Sequence, residues 1–99
     1  MFIAMSQFQV ANNMIGEIKL AFKNRAGLVD QAEGFQRMDV LSPLEQPDEI
    51  WLMTYWSDEA SYRAWHHSHH YKEAHQGIPK GLKLKPGKTK LLFLEHVTS

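Results

Sequence analysis

Apolar residues recur along this 99-residue chain with two periods, and each change of period marks an element. Phe2 to Val10 is rich in β-compatible residues and predicts a strand. Asn12-Asn13 follows, where an asparagine side chain can cap a helix. From Met14 to about Gln31, Ile15, Ile18, Phe22, Ala26 and Val29 recur at three- and four-residue steps, while Glu17, Lys19, Lys23, Asn24 and Asp30 fall largely on the other side. That spacing predicts an amphipathic helix. Gly16 and Gly27 weaken it by about 1 kcal/mol each relative to alanine, so packing on a sheet must hold it. Glu33-Gly34 stops it.

Phe35–Leu41 and Glu49–Trp56 read as two strands. The segment between them, Ser42-Pro43-Leu44-Glu45-Gln46-Pro47-Asp48, has the prolines and the aspartate of a surface connection, so a hairpin is the simplest reading. Ser57-Asp58-Glu59 supplies a cap and first-turn acids for a second helix, which Gly77 and Pro79 end. A loop with Gly81, Pro86 and Gly87 leads to a last strand, Lys88 to Val97. The order β-α-β-β-α-β predicts a single α+β domain over residues 1–99, a ferredoxin-like antiparallel sheet with both helices on one face.

The strands carry apolar residues on both faces. In the third, Trp51, Met53 and Tyr55 oppose Ile50, Leu52 and Trp56; in the last, Leu91 and Phe93 oppose Leu92 and Leu94. Two helices cover one face only, so the other must meet a second protomer or a ligand. A domain of this length buries about two-thirds of the surface its unfolded chain exposes, which also favours a homodimer.

The second helix carries the candidate chemistry. Tyr62-x-x-Trp65-x-x-Ser68-x-x-Tyr71-x-x-Ala74-His75 puts a large aromatic ring and a potential iron ligand on one segment. On an unbroken helix Trp65 and His75 would lie about 15 Å apart on different faces. Ser68 is the natural break, its hydroxyl accepting from an N–H two or three residues on and starting a new helix at His69. With that kink both side chains face one cavity.

Composition narrows the partners. Eleven Lys+Arg balance eleven Asp+Glu, which argues against an electrostatic grip on nucleic acid or an anionic membrane. The absence of cysteine removes disulfides, thiolate metal sites and thiol catalysis. The N-terminus, Met1-Phe2-Ile3-Ala4-Met5-Ser6-Gln7, has no basic leader and turns polar too soon for a signal segment or a membrane span, so a cytoplasmic protein is expected.

Glu33-Gly34-Phe35-Gln36-Arg37-Met38-Asp39-Val40-Leu41 with Pro43, then Tyr55-Trp56-Ser57-Asp58-Glu59-Ala60, then Tyr62-x-x-Trp65-x-x-Ser68 through Ala74-His75 resemble the dimeric α+β barrel proteins of the antibiotic biosynthesis monooxygenase superfamily, and within it the bacterial heme-degrading monooxygenases. The resemblance implies a heme between the helical layer and the sheet, with His75 as axial iron ligand and Trp65 pressing the porphyrin out of plane. Imidazole is a common heme ligand, and macrocycle distortion is a protein lever on heme reactivity. The implied reaction opens the porphyrin with dioxygen, electrons coming from an external donor such as a reductase. The family's third residue is a first-strand asparagine that donates to iron-bound oxygen; its position is held here by Ser6, a single hydroxyl on a shorter stem. Gln7 points to the opposite face.

Other readings stand beside these. His75 as an ordinary helix-end histidine favoured by the C-terminal dipole, Trp65 as a core residue and Ser6 as a small strand residue are the plain alternatives. Lys80, Lys83, Lys85, Lys88 and Lys90 read as solvated loop charges, with pairing to heme propionates as the sharper alternative. His66, His70 and Glu73 share a face of a continuous helix and so could bind a divalent ion, an arrangement that a break at Ser68 removes. The alternative functions are a heme-independent oxygenase acting on a quinol or polyketide-like aromatic, and a dimeric binding module without turnover.

Overall fold

A computed structural model describes residues 1–24, 28–68 and 81–99. The elements are β1 (Phe2–Gln9), α1 (Ile15–Lys23), a 3-10 turn (Leu28–Gln31), β2 (Phe35–Leu41), β3 (Glu49–Trp56), α2 (Glu59–His66) and β4 (Lys90–Glu95). The four strands form one sheet in the order β2-β3-β1-β4, every neighbouring pair antiparallel. This is the expected ferredoxin-like α+β arrangement.

Register decides which side chains share a face. Phe2, Ala4, Ser6 and Phe8 stand opposite Trp56, Thr54, Leu52 and Ile50, and their β4 neighbours include Phe93 and Leu91. All lie on the face that the helices cover. On β2 the register shifts between Phe35 and Arg37, so Gln36 is an extra residue, a β-bulge. Phe35, three positions before Met38, would otherwise point away from it; the bulge returns Phe35, Met38 and Val40 to the helix side.

Among the described residues the helix side buries two clusters. One holds Ala4, Val29, Trp56 and Tyr62, with Phe2, Ala32, Phe35 and Trp65 against it. The other holds Phe8, Val10, Ile18 and Ile50, with Met14, Ile15, Phe22, Leu52 and Leu82. Ile18, fully buried, is the anchor of α1. The helix runs nine residues rather than the expected eighteen, and Val29 reaches the core from the 3-10 turn.

The N-terminal end of α1 differs from expectation in its chemistry. Its cap is Met14, with no side-chain cap bond. Asn13 takes a left-handed φ of 60°, a conformation asparagine tolerates. Asn12 instead ties the 81–83 loop down, its amide donating to the Gly81 carbonyl at 2.6 Å and its oxygen accepting from the Lys83 N–H at 3.4 Å. Together with the Ala11 N–H to Lys83 carbonyl and Lys85 N–H to Gln9 carbonyl bonds, this binds the chain ahead of β4 to the far end of β1.

The opposite face carries Met5, Trp51, Met53, Tyr55, Leu92 and Leu94. Leu92 is 41 % exposed and Leu94 37 %, beside Leu41 on the outer strand. The polar residues among them are paired: Arg37 donates twice to the Asp39 carboxylate, at 2.8 and 2.9 Å, and its guanidinium lies over the Tyr55 ring. Burial, then Asp39, raises the Tyr55 hydroxyl pKa. Among the described residues no helix is long and apolar enough to cross a membrane.

Candidate active site

Helix α2 begins as expected. Asp58 has an extended backbone, and its Oδ1 accepts from the Ser61 N–H at 2.7 Å. That bond holds the carboxyl below its usual pKa. Gly34, at φ +82°, brings the start of β2 beneath this turn: its carbonyl accepts from the Ser57 N–H at 2.8 Å, and a β-carbon there would run into the Ser61 and Ser57 side chains. The start of α2 is thereby fixed over the β3 end of the sheet.

Two turns on, the helix lays Tyr62 and Trp65 on the first core cluster. The Trp65 indole is 5.5 Å from that of Trp56 and 6.4 Å from the Tyr62 ring, centroid to centroid. Phe35 meets Trp56 edge-on at 5.4 Å from the other side. Trp65 is thus braced from below by a fully buried tryptophan. Its own surface is partly open.

The helix ends where the serine predicted it would, but by a different bond. Ser68 places both its N–H (2.9 Å) and its hydroxyl (2.6 Å) on the Trp65 carbonyl. The hydroxyl therefore donates backward to the closing turn, taking a carbonyl that the next residue of a continuing helix would use. His67 is the C-cap. The expected second helical run from His69, with Ala74, His75, Gly77 and Pro79, lies outside the described residues, as does the proposed iron ligand itself.

Ser6 is on the helix-covered face, between Ala4 of the first cluster and Phe8 of the second, with Leu52 and Leu91 as its lateral neighbours. It marks the seam between the two buried clusters. Trp56, the support of Trp65, stands four residues along β3 from Leu52, about 13 Å along the strand. Trp65 packs on Trp56 at the β3 end of the helix-covered face, and Ser6 lies on that same face further along the sheet. Gln7 is on the other face.

A cleft of about 480 Å³ opens between α1, the 3-10 turn and β2, lined by Phe22, Asp30, Phe35, Arg37, Met38 and Val40 with Gln36; Ser6 and Trp65 do not line it. A second hollow of about 340 Å³ shares Phe22 and Val40 and has Lys19 and Lys23 at its rim. The first volume falls within the range of small-molecule sites. Phe22 was legible as part of the apolar stripe of α1. Val40 and Met38 were not, because only the bulge assigns them to this face.

Among the described residues no three His, Asp or Glu side chains are grouped to hold a metal. His66 lies against the Tyr62 ring at 5.7 Å, while His70 and Glu73 fall outside the described residues. Lys83, Lys85, Lys88 and Lys90 are exposed, and Lys85 approaches Asp48 at 3.7 Å.

By its fold this is a ferredoxin-like α+β sheet protein. The match of residues 1–77 to the family model for antibiotic biosynthesis monooxygenases makes the chain a member of that family. Over 58 residues it is 31% identical to a staphylobilin-producing heme oxygenase of Staphylococcus saprophyticus, a stretch covering 57% of this chain and 56% of that one; the chain thus spans little more than half the length of that curated relative. It superposes on MhuD, a heme-degrader from Mycobacterium tuberculosis solved with two hemes in its active site, with a TM-score of 0.81 at 21% identity, covering 100% of this chain and 98% of that one. It also superposes on a variant of SnoaB, a cofactor-independent oxygenase from Streptomyces nogalater, with a TM-score of 0.76 at 13% identity and coverage of 99% and 94%. At these identities the two superpositions establish the shared fold.

Proposed function

We propose that this chain is a heme-degrading monooxygenase, binding heme through His75 and opening the porphyrin with dioxygen and electrons from an external donor. The observation that carries the reading is the break of α2 at Ser68, one turn after a Trp65 braced by Trp56 on the sheet face that also carries Ser6. The 31% identity to a heme oxygenase supports it.

The described residues fit the group. The row across the helix-covered face from Val40 through Leu52 and Ser6 to Leu91 is apolar but for the serine hydroxyl, and a cleft that Met38 and Val40 line opens at its β2 end. In this reading His75 holds the iron and Trp65 presses on the macrocycle, its ring unable to retreat because Trp56 lies behind it. Ser6 contributes one donor from the floor, acting directly or through a water. Lys19 and Lys23 at the rim suit carboxylate side arms. Bound heme supplies both the reductive activation of oxygen and the carbon that is attacked.

The open sheet face argues for a homodimer. Leu92 and Leu94, with Met5, Trp51 and Met53, form an apolar surface that a second copy would bury, and the Arg37–Asp39 pair brings its charges already matched. Cytoplasmic location belongs to the same proposal.

A hemin titration of the wild type and His75→Ala tests it. A Soret band in the wild type, with a large affinity loss in the variant, is the expected outcome; equal binding by both removes His75 as ligand. The second reading is a heme-independent oxygenase acting on a quinol or aromatic polyketide, favoured by a serine where the heme-degrading relatives are expected to carry an amide. Oxygen uptake on a dihydroxyaromatic substrate without hemin would select it.

A further inference from the structure

We propose that Met5 and Met53 form a reversible oxidation site at the centre of the open sheet face, through which hydrogen peroxide breaks the pairing of two protomers. Its effect rests on the dimer proposed for that face. Met5 of β1 stands directly opposite Met53 of β3, and the row across the face runs Leu92, Met5, Met53, Asp39 from one edge strand to the other. Along β3 Met53 lies between Trp51 and Tyr55 on the same face. The two sulfurs therefore occupy the middle of the patch. Both side chains are half-buried in the single chain.

The chain has no cysteine, so its sulfur chemistry belongs to methionine, whose thioether is oxidised reversibly to the sulfoxide. The Met5 sulfur accepts from the Gln7 side-chain N–H at 3.9 Å, a long and weak bond. A sulfoxide oxygen is a far stronger acceptor than a thioether sulfur, so the same amide holds the oxidised form. In the oxidation the sulfur lone pair attacks one peroxide oxygen and the O–O bond breaks. The departing hydroxide takes the proton left on the transferred oxygen and leaves as water. Methionine loses two electrons, and peroxide gains them. Methionine sulfoxide reductase returns two electrons and two protons and releases the oxygen as water.

The apolar face decides the consequence. Pairing two such faces takes the central row out of water, and a sulfoxide dipole placed there must give up its water as well. Pairing also covers the sulfurs, so peroxide reaches them in the free protomer. Oxidation thus captures protomers as they separate and keeps them apart. In the proposed reaction dioxygen takes up external electrons on this protein. Two electrons and two protons added to it without attack on the porphyrin give one hydrogen peroxide, the oxidant to which the pair responds.

Heme-free protein is treated with hydrogen peroxide at chain concentrations above and below the dimer dissociation constant, beside a Met5→Leu, Met53→Leu double variant that conserves side-chain volume. Peptide mass spectrometry follows each methionine, and sedimentation follows the mass. Met5 and Met53 are expected to gain one oxygen each, faster in dilute than in concentrated protein. The oxidised chain keeps its circular dichroism, while its dimer dissociation constant rises by about tenfold or more, the cost of a polar group taken out of water without a full set of partners. Methionine sulfoxide reductase restores the dimer, and the double variant stays paired throughout. An unchanged dimer carrying both sulfoxides overturns the proposal, as does equal loss of dimer in the double variant. The native protein, through its sulfoxide map, its mass and its rescue by the reductase, decides the matter if the double variant does not fold. A chain that is a single protomer at every concentration before peroxide removes the dimer itself and the proposal with it, an outcome distinct from a dimer that resists oxidation. Because no hemin is present, failure of hemin to bind leaves this result standing.

Discussion

Trp65 and Trp56 are stacked at a tilt of 39° with 5.5 Å between ring centroids, the one partly open, the other wholly buried. The lower indole is set by β3 and the upper by α2, so helix and strand are locked by this contact. Trp56 gives Trp65 a hard backing in the fold.

Replacing Trp65 tests that backing. Trp65→Ala opens a void over Trp56 and costs about 2 kcal/mol, less than a fully buried tryptophan because one side of the ring is already open. Urea unfolding measures it. With hemin bound, Trp65→Phe is expected to keep the Soret band while slowing heme loss; an unchanged rate of loss removes the distorting role.

Ser6→Asn supplies the amide expected of heme-degrading relatives. The position lies on the helix-covered face between the two core clusters and belongs to neither. Faster consumption of bound heme, followed by absorbance with reductant and oxygen, is expected with little change in Tm. No gain in rate means the floor of the seam is not where oxygen is steered.

Gly34→Ala is expected to destabilise strongly. The left-handed backbone costs about 1 kcal/mol with a β-carbon, and the clash with Ser61 and Ser57 must push α2 off β2. Thermal melting reads the loss. Gly87→Ala, also at positive φ but with open space around its β-carbon, is the control and should lose only the backbone part.

Asp58 makes the stability of α2 pH-dependent in a defined direction. Its folded-state pKa is depressed by the Ser61 N–H, so its contribution is fully present above the ordinary carboxyl value, near 3.9, and is lost as pH falls through the folded value. The gap in Tm between wild type and Asp58→Ala should therefore be constant around neutrality and close in acid. A gap that persists at the lowest pH would mean the cap acts without its charge.

Leu92→Asp places a charge on the uncovered sheet face. A dimer built on that face dissociates, and light scattering should fall from the mass of two chains to that of one. A dimer that survives the substitution is built on another surface.

The strand and helix order, the antiparallel sheet, the Asp58 cap and the break at Ser68 follow from local rules of periodicity, capping and turn chemistry, and each was legible along the chain. So was the double-sided apolar character of β3 and β4, because alternation along a strand reports both faces at once. The length of α1 was not. Its apolar spacing runs on to Val29, but Val29 enters the core from a 3-10 turn that keeps the same spacing without continuing the helix. Asparagine at position 12 has the type of a helix cap, and only the arrival of the 81–83 loop from a distant part of the chain gives its amide a different partner.

The sequence by itself determined which residues alternate, which helix starts at Asp58 and which residue types are available for chemistry. Tertiary structure decided the rest of the candidate site. It set Trp56 beneath Trp65, put Ser6 on the seam between two cores, and brought Phe35, Met38 and Val40 to one face. The reason is that these relations join β1, β2, β3 and α2 across long sequence distances. One bulged residue, Gln36, changes the facing of a strand through pairing with its neighbour, which no pattern local to that strand encodes.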